Sequence, residues 1–180
     1  MSLKQGVNLT IRNVVAALTI GVLVLFASTN ALATVPSYEN LVAVNKETHE
    51  DRRELLCLAT NIYHEAGGES DKGKAAVAHV TLNRAKSPRY PNDICRVVYQ
   101  RSGRTCQFSW TCDKRSDIVP NKKYNKRWQD SLQIALLVID KIIKDPTNGA
   151  MFFHERSINP GWRRLVRTAH IGNHIFYRHG

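Results

Sequence analysis

The fold can be predicted outward from one segment of the chain, LLCLATNIYHEAGGE, residues Leu55–Glu69. Apolar residues recur in it with the period of an amphipathic helix packed on a core: Leu55, Leu58, Ala59, Ile62 and Ala66. Glu65 lies one turn after Ile62, beside this apolar stripe, and Gly67-Gly68 ends the helix shortly afterwards. We therefore expect the Glu65 carboxyl to be partly removed from water.

Partial burial would suit the Glu65 carboxyl to acid catalysis. Desolvation disfavours the charged form of a carboxyl group, and the negative end of the helix dipole acts in the same direction. The group would then stay protonated near neutral pH and act as a general acid. The alternative is a structural Glu that pairs with an Arg or caps a backbone group. The stretch by itself leaves both interpretations open.

The first 33 residues have the layout of a secretory signal peptide. Lys4 and Arg12 precede an apolar run over residues 14–27, and Ala31-Leu32-Ala33 supplies a cleavage site. The run is too short for a comfortable membrane span. We expect export to the periplasm or cell envelope with the signal peptide removed. An uncleaved signal anchor is the competing interpretation, and that segment would then be the protein's contact with the membrane.

Length and charge indicate one exported domain with a polyanionic partner. A chain of 180 residues can build one hydrophobic core, and residues 34–46 are typical of a linker that precedes a domain over residues 47–180. The formal net charge is +11, which favours polyanions. For an exported protein these are the anionic glycans of the envelope. The sequence contains no recognition helix and no aromatic RNA-binding motif, so we do not expect it to bind nucleic acid. We expect the protein to be a monomer.

The four cysteines form an even set, all in the part of the chain predicted to be exported. Such a set predicts two disulfides, for which three pairings exist. A local bridge between Cys106 and Cys112 is favoured, which would leave Cys57, on the Glu65 helix, to Cys95. A four-cysteine zinc site is the alternative, although the chain has no CxxC unit and the compartment is oxidising.

The remaining sequence predicts more helices and then strands. Ser70 is a suitable N-cap for a second helix whose middle, AAVAHVTL, is apolar nearly all round and therefore central. A basic loop over residues 101–124 precedes a further amphipathic helix. The pattern indicates an α+β fold, a helical bundle that carries a small antiparallel hairpin or sheet. The predicted elements are helices 47–66, 71–86, 94–98 and 125–144 and strands 151–154 and 174–178, with a turn at 159–161.

Six segments of the chain form a specific series: NIYHEAGGES, GKAAVAHVTLNR, YPNDICRVVY, CQFSWTCD, GAMFFH and HIGNHIFYR. In order and rough spacing this series, which spans about residues 55–178, resembles the SleB/CwlJ family of bacterial cell-wall hydrolases. The resemblance implies a lysozyme-like catalytic domain that cleaves peptidoglycan glycan strands between N-acetylmuramic acid and N-acetylglucosamine, in many members as a lytic transglycosylase. No cofactor and no metal are expected.

The resemblance implies that Glu65, in the family's E-A-x-G-E motif, is the catalytic acid/base. Gly67 stands where Arg is common in that motif, so no contact of that Arg is carried over. Glu69 is the nearest second carboxylate, but it lies beyond the Gly-Gly break, where capping or ion pairing is the expected role. Tyr63 is expected to hydrogen-bond in the cleft, and His64 to face solvent.

A single carboxylate favours the transglycosylase reaction, because ordinary glycosidases use a second one as nucleophile or base. In a transglycosylase the 6-hydroxyl of the muramic acid attacks the anomeric carbon, and the product is a 1,6-anhydro sugar. Hydrolysis would instead need a positioned water molecule. The sequence leaves both products open.

The segment Gln107-Phe108-Ser109 offers an amide, an aromatic face and a hydroxyl, which suit the N-acetyl and hydroxyl groups of a sugar. The resemblance also implies that this segment lies near the cleft. We therefore predict that all three residues bind substrate. The alternative for Phe108 and Trp110 is that they anchor the loop in the core.

Asn83, His154 and His174 occupy motif positions and are expected to support the site indirectly, since buried polar residues need hydrogen-bond partners. A rival interpretation uses His154, His170 and His174 as ligands of a zinc-dependent amidase or peptidase. Against it, His170 and His174 flank a Gly before a strand and would not share a helix face. A second rival is a non-catalytic, basic wall-binding module.

Overall fold

The computed structural model describes residues 49–113, 119 and 121–180, and the predicted signal peptide and linker lie outside this range. The described residues form a helical part and two antiparallel sheets, as predicted for an α+β fold. The helices are α1 (His49–Ala66), α2 (Asp71–Ala85), α3 (Ile94–Val98) and α4 (Lys126–Ile139), and the strands are β1 (Arg101–Ser102), β2 (Thr105–Cys106), β3 (Phe152–Glu155), β4 (Leu165–Ile171) and β5 (His174–His179).

Helix α2 is the central element, as its sequence predicts. Ser70 caps it, since its hydroxyl accepts a hydrogen bond from the Gly73 backbone amide. One side of α2 packs with α1 and α4, and the other packs against the C-terminal sheet. Core residues of the first side include Leu58, Ile62, Ala75, Ala78, Leu132 and Ala135, and those of the second include Ala76, Val77, Val80, Ile171 and Phe176.

The C-terminal sheet has the strand order β3-β5-β4, with antiparallel neighbours. The two predicted strands are confirmed and pair with each other, with Phe153 opposite Phe176. The sequence interpretation missed β4, which forms a hairpin with β5 through Gly172. A β-bulge between Arg167 and Ala169 explains the omission, because the extra residue breaks the alternation that marks a strand.

Helix α4 ends earlier than its apolar pattern predicts. The prediction extended it to Lys144, but the helix ends at Ile139, and Lys141 adopts a left-handed conformation with φ of 61°. Ile142, placed on the buried face by periodicity, is 66% exposed. The carbonyl of Ile143 instead meets the buried ring of His79 at 3.0 Å, so a tertiary contact outweighs helix propensity here.

The favoured disulfide pairing is confirmed. Cys57–Cys95 joins α1 to α3, and Cys106–Cys112 brackets the short 3-10 turn Ser109–Thr111. The first bridge therefore fixes α3 to the first half of α1, and the second braces the loop that follows β2. Among the residues that the structure describes, none of the helices has the length and apolar character that a membrane crossing requires.

Candidate active site

An open cavity of about 290 Å³ lies beside the last turn of α1, where α2, the loop after β2 and the strand β3 meet. Its wall combines one carboxyl group, one guanidinium group, an amide, a hydroxyl and several aromatic rings. Such a mixture of apolar surface and a few polar groups is typical of ligand sites. The lining residues are Glu65, Arg84, Cys106, Gln107, Phe108, Ser109, Phe152, Phe153 and Trp162.

Glu65 reaches this cavity from the final turn of α1, one turn after the fully buried Ile62. Burial raises the pKa of the Glu65 carboxyl from 4.5 to about 7, and the nearby positive charge of Arg84 offsets part of this increase. None of the ion pairs among the described residues involves Glu65. The carboxyl can therefore be protonated near neutral pH while it borders a space that a ligand can enter.

Arg84 is the residue of the site that the sequence interpretation missed. It is only 3% exposed, and its Nε donates a hydrogen bond to the Met151 carbonyl at 2.7 Å. Its guanidinium carbon lies 5.3 Å from the ring centre of Phe108 and 5.9 Å from that of Phe152. Burial lowers the pKa of Arg84 to about 10, so it still carries its charge at neutral pH. The available signal was a cation at the end of a helix whose middle, AAVAHVTL, is apolar nearly all round.

The predicted segment Gln107-Phe108-Ser109 does line the cavity. With its amide oxygen turned towards Arg84, Gln107 accepts hydrogen bonds from Nη1 at 3.2 Å and from Nη2 at 3.3 Å. Gln107 and Ser109 are exposed and available to a ligand, whereas Phe108 is only 3% exposed. Phe108 thus contributes to the wall of the cavity while it also anchors the loop.

Trp110 anchors the same loop to α1. Its indole Nε1 donates to the fully buried Asn61 at 3.0 Å, and Asn61 in turn donates to the Thr81 hydroxyl on α2 at 3.1 Å. The His64 ring stacks on the indole with a centroid distance of 4.4 Å. The expectation that His64 faces solvent is therefore wrong, because the loop folds back over this side of the helix.

Tyr63 does not line the cavity. A separation of two residues places it about 200° around the helix from Glu65. Its hydroxyl accepts a hydrogen bond from Asn125 at 3.2 Å, and its ring packs edge-on against Trp128, with centroids 6.3 Å apart. These contacts give Tyr63 a structural role between α1 and α4.

The family described as Cell Wall Hydrolase matches residues 68–177, which is more than half of the chain. This chain belongs to the cell wall hydrolase family. The matched range begins after Glu65, so membership of the family does not depend on that residue.

Spore cortex-lytic enzymes are among the relatives of this cell wall hydrolase. The enzyme of Bacillus subtilis strain 168 is 27% identical over 140 residues, covering 77% of this chain and 42% of that protein. The Bacillus cereus enzyme is 27% identical over 145 residues, covering 77% of this chain and 51% of that protein. The chain thus spans about half or less of the length of these relatives.

Two solved structures are similar to this cell wall hydrolase. The catalytic domain of Bacillus cereus SleB has a TM-score of 0.53 and 25% identity, over 71% of this chain and 91% of that one. The catalytic domain of the germination-specific lytic transglycosylase SleB from Bacillus anthracis has a TM-score of 0.52 and 23% identity, over 74% and 98%. Both confirm the α+β fold.

In this cell wall hydrolase, Glu69 and Asn83 form hydrogen bonds that link the elements around the cavity. The Glu69 carboxylate accepts from the backbone amide of Asn173 at 3.3 Å and from its side-chain amide at 3.0 Å, which ties the end of α1 to the β4–β5 hairpin. Asn83 donates to Asp145 at 2.9 Å and to the Ala150 carbonyl at 3.0 Å. Neither residue lines the cavity.

His154 and His174 lie on opposite faces of the C-terminal sheet. The Nε2 atom of His154 is 3.0 Å from the Tyr177 hydroxyl on the outer face. The ring of His174 packs edge-on against Phe153, with centroids 5.1 Å apart, on the face towards the core. Burial lowers the pKa of His174. Both side chains stabilise the strands around the cavity.

The three histidines of the rival zinc interpretation do not converge. His154 and His170 both pair with Ile175, from opposite sides, so they share its face with one strand between them. His174 is adjacent to Ile175 and points to the other face. Within residues 49–113, 119 and 121–180, no group of three or more His, Cys, Asp or Glu side chains is placed to hold a metal ion.

Proposed function

We propose that this protein cleaves the glycan strands of peptidoglycan between N-acetylmuramic acid and N-acetylglucosamine, with Glu65 as the acid/base. The observation that carries the proposal is a carboxyl group whose pKa is raised to about 7 at the wall of an open cavity. The exposed amide and hydroxyl of Gln107 and Ser109 border the same space and suit the polar groups of an N-acetylated sugar. The relatives of Bacillus subtilis and Bacillus cereus are spore cortex-lytic enzymes, which supports a cell-wall substrate.

The first step of the proposed reaction is proton transfer. Protonated Glu65 donates its proton to the glycosidic oxygen, and the bond between that oxygen and the anomeric carbon breaks. Glu65 is left as a carboxylate in a partly desolvated cavity, where the positive charge of Arg84 favours it. Fixed contacts to Met151 and to aromatic rings hold Arg84 in place before the reaction begins.

The second step follows from the number of carboxylates. Among the described residues that line the cavity, Glu65 is the only acidic one, and Glu69 is occupied by Asn173. We infer that the 6-hydroxyl of the muramic acid attacks its own anomeric carbon and gives its proton to the Glu65 carboxylate. This returns Glu65 to its starting state and yields a 1,6-anhydro end. The reaction needs no second carboxylate and consumes no water molecule.

Mass spectrometry of the fragments released from purified peptidoglycan tests the proposal. A 1,6-anhydro end is lighter than a reducing end by one water, so the expected spectrum contains anhydro-muropeptides. Reducing ends alone would refute the transglycosylase step and leave glycan cleavage in place.

The Glu65→Gln variant tests the catalytic role. It should abolish fragment release because an amide cannot deliver the proton, whereas Glu50→Gln, on the same helix with a side chain 77% exposed, should not. Fragment release by folded Glu65→Gln would refute the catalytic role.

We also propose that the protein acts in the cell envelope after export. The described chain has no free cysteine, and its two disulfides are typical of an oxidising compartment. Sequencing of the mature N-terminus after cell fractionation tests this. The expected result is an envelope protein that begins near Thr34, and a cytoplasmic protein that still begins at Met1 would contradict it.

A further inference from the structure

We propose that the outer face of the C-terminal sheet binds the sugar units that flank the cleaved bond, and that one of these sugars stacks on Trp162. We define the aromatic platform as Phe152, His154, Trp162 and Tyr177. The inference rests on the proposed function, because it names where the same glycan strand continues beyond Glu65. It adds a second binding surface to the cavity.

Trp162 joins the platform to the cavity. It lines the cavity together with Glu65, so a chain of sugars that passes Glu65 can continue over the indole. Trp162 is 39% exposed, whereas Trp110 and Trp128 are 7% and 4% exposed. A partly exposed Trp at the rim of a cavity, in a chain that buries its other indoles, is available to a ligand.

The platform is held in place before any ligand arrives. Phe152 and Tyr177 pair across β3 and β5, and His154 stacks on Tyr177 with ring centroids 5.3 Å apart. The centroid of the Trp162 ring lies 5.9 Å from that of Phe152, 5.5 Å from that of His154 and 5.6 Å from that of Tyr177. The indole plane makes angles of 63°, 81° and 89° with the planes of these three rings, so none of them lies parallel to the indole. A rigid aromatic surface loses little conformational entropy on binding.

The chemistry of the platform suits a β-linked N-acetylated sugar. The ring substituents of such a sugar are equatorial, so its axial C–H groups form an apolar face. The negative face of an indole attracts these polarised C–H groups. Arg167 pairs with Tyr177 across β4 and β5, so it shares the outer face and adds an exposed positive charge there. That charge complements the carboxylates carried by muramic acid and its stem peptides.

Binding of the N-acetylglucosamine hexamer to the full chain tests the platform. Calorimetry is done in a Glu65→Gln background so that the ligand is not cut. Added Trp162→Ala should weaken binding about tenfold, the size expected when one aromatic stacking contact is lost. Tyr124→Ala is the matched control, since Tyr124 is an aromatic residue 75% exposed outside the cavity lining, and it should leave affinity unchanged.

A second variant covers the case in which Trp162→Ala does not fold. Because Trp162 is the exposed indole, the hexamer should alter the tryptophan emission of the Glu65→Gln parent but not that of Glu65→Gln/Trp162→Phe. Equal emission changes in both proteins, unchanged affinity in the folded Trp162→Ala variant, or no binding by the parent would each overturn the platform.

Activity separates this inference from the proposed function. With Glu65 intact, Trp162→Ala should raise KM for soluble glycan strands and change kcat by less than about twofold. An active Glu65→Gln variant would remove the catalytic proposal while the hexamer measurements still decide the platform. Conversely, an inactive Glu65→Gln variant combined with unchanged hexamer affinity in Trp162→Ala would remove the platform alone.

Discussion

Replacement of Glu65 by Gln should make the protein more stable above neutral pH. Burial raises the pKa of Glu65 from 4.5 to about 7, so folding disfavours the ionised form. At about 1.4 kcal/mol per tenfold change in proton affinity, this amounts to about 3 kcal/mol of lost stability once the group is ionised in both states. A neutral amide of the same shape does not carry this cost.

The sign of the pH dependence follows from the direction of the pKa change. Well below pH 4.5 the carboxyl is protonated in the folded and unfolded protein alike, so wild type and Glu65→Gln should be equally stable. As the pH rises from 4.5 to about 7, the unfolded chain loses its proton first, and wild type becomes progressively less stable than the variant. Above about pH 7 the difference should level off.

Urea unfolding followed by circular dichroism between pH 4 and pH 8.5 measures this difference. Glu50→Gln serves as the matched control because Glu50 is 77% exposed on the same helix, and it should show no comparable pH-dependent gain. If the gap between wild type and Glu65→Gln is the same at both ends of the range, the Glu65 carboxyl is not desolvated and the reasoning about its protonation is refuted.

Three other perturbations test the surroundings of the site. Arg84→Gln removes the charge that lowers the Glu65 pKa, so the alkaline limb of the activity profile should move to higher pH; an unchanged limb would show that the two charges do not interact. Replacing Cys57 and Cys95 by Ala removes a bridge between residues 38 apart in sequence and should lower the free energy of unfolding, measured with heat or urea, by about 4 kcal/mol. A reducing agent should then destabilise the variant less than it destabilises wild type. Asn61→Ala leaves a buried indole N–H and a buried hydroxyl without their partner, and we expect a loss of about 1–3 kcal/mol, with a loss below 0.5 kcal/mol arguing that the network contributes little.

Features that depend on neighbouring residues could be predicted from the sequence. The apolar stripe of α1, the Ser70 cap and the all-round apolar character of α2 are local patterns, and the structure confirms each of them. The disulfide pairing followed from the short spacing of Cys106 and Cys112. The placement of Glu65 beside the buried stripe is likewise a consequence of helical periodicity. The same periodicity places Tyr63 on the other side of α1, away from the cavity in which we expected its hydroxyl.

Local patterns misled where distant contacts outweighed them. The apolar period continues beyond Ile139, but the chain turns at Lys141 and leaves Ile142 in solvent, because the following segment packs on α2 instead. The β4 strand escaped notice because its bulge interrupts the alternation of side chains. His64 was expected in solvent, since no local signal shows that Trp110 stacks on it.

The fold class, the helices apart from the end of α4, and the position of the Glu65 carboxyl beside the apolar stripe of α1 could be predicted from residue order, because each rests on patterns among residues close together in the chain. That Arg84 and Trp162 line the same cavity as Glu65, and that the charge of Arg84 acts on the Glu65 carboxyl, became visible only in the folded protein. These residues come from separate elements, which are brought together because the sheet packs on α1 and α2 and the Trp110 loop is hydrogen-bonded to α1. Their effect on the Glu65 proton depends on distance and burial, which no spacing along the chain contains.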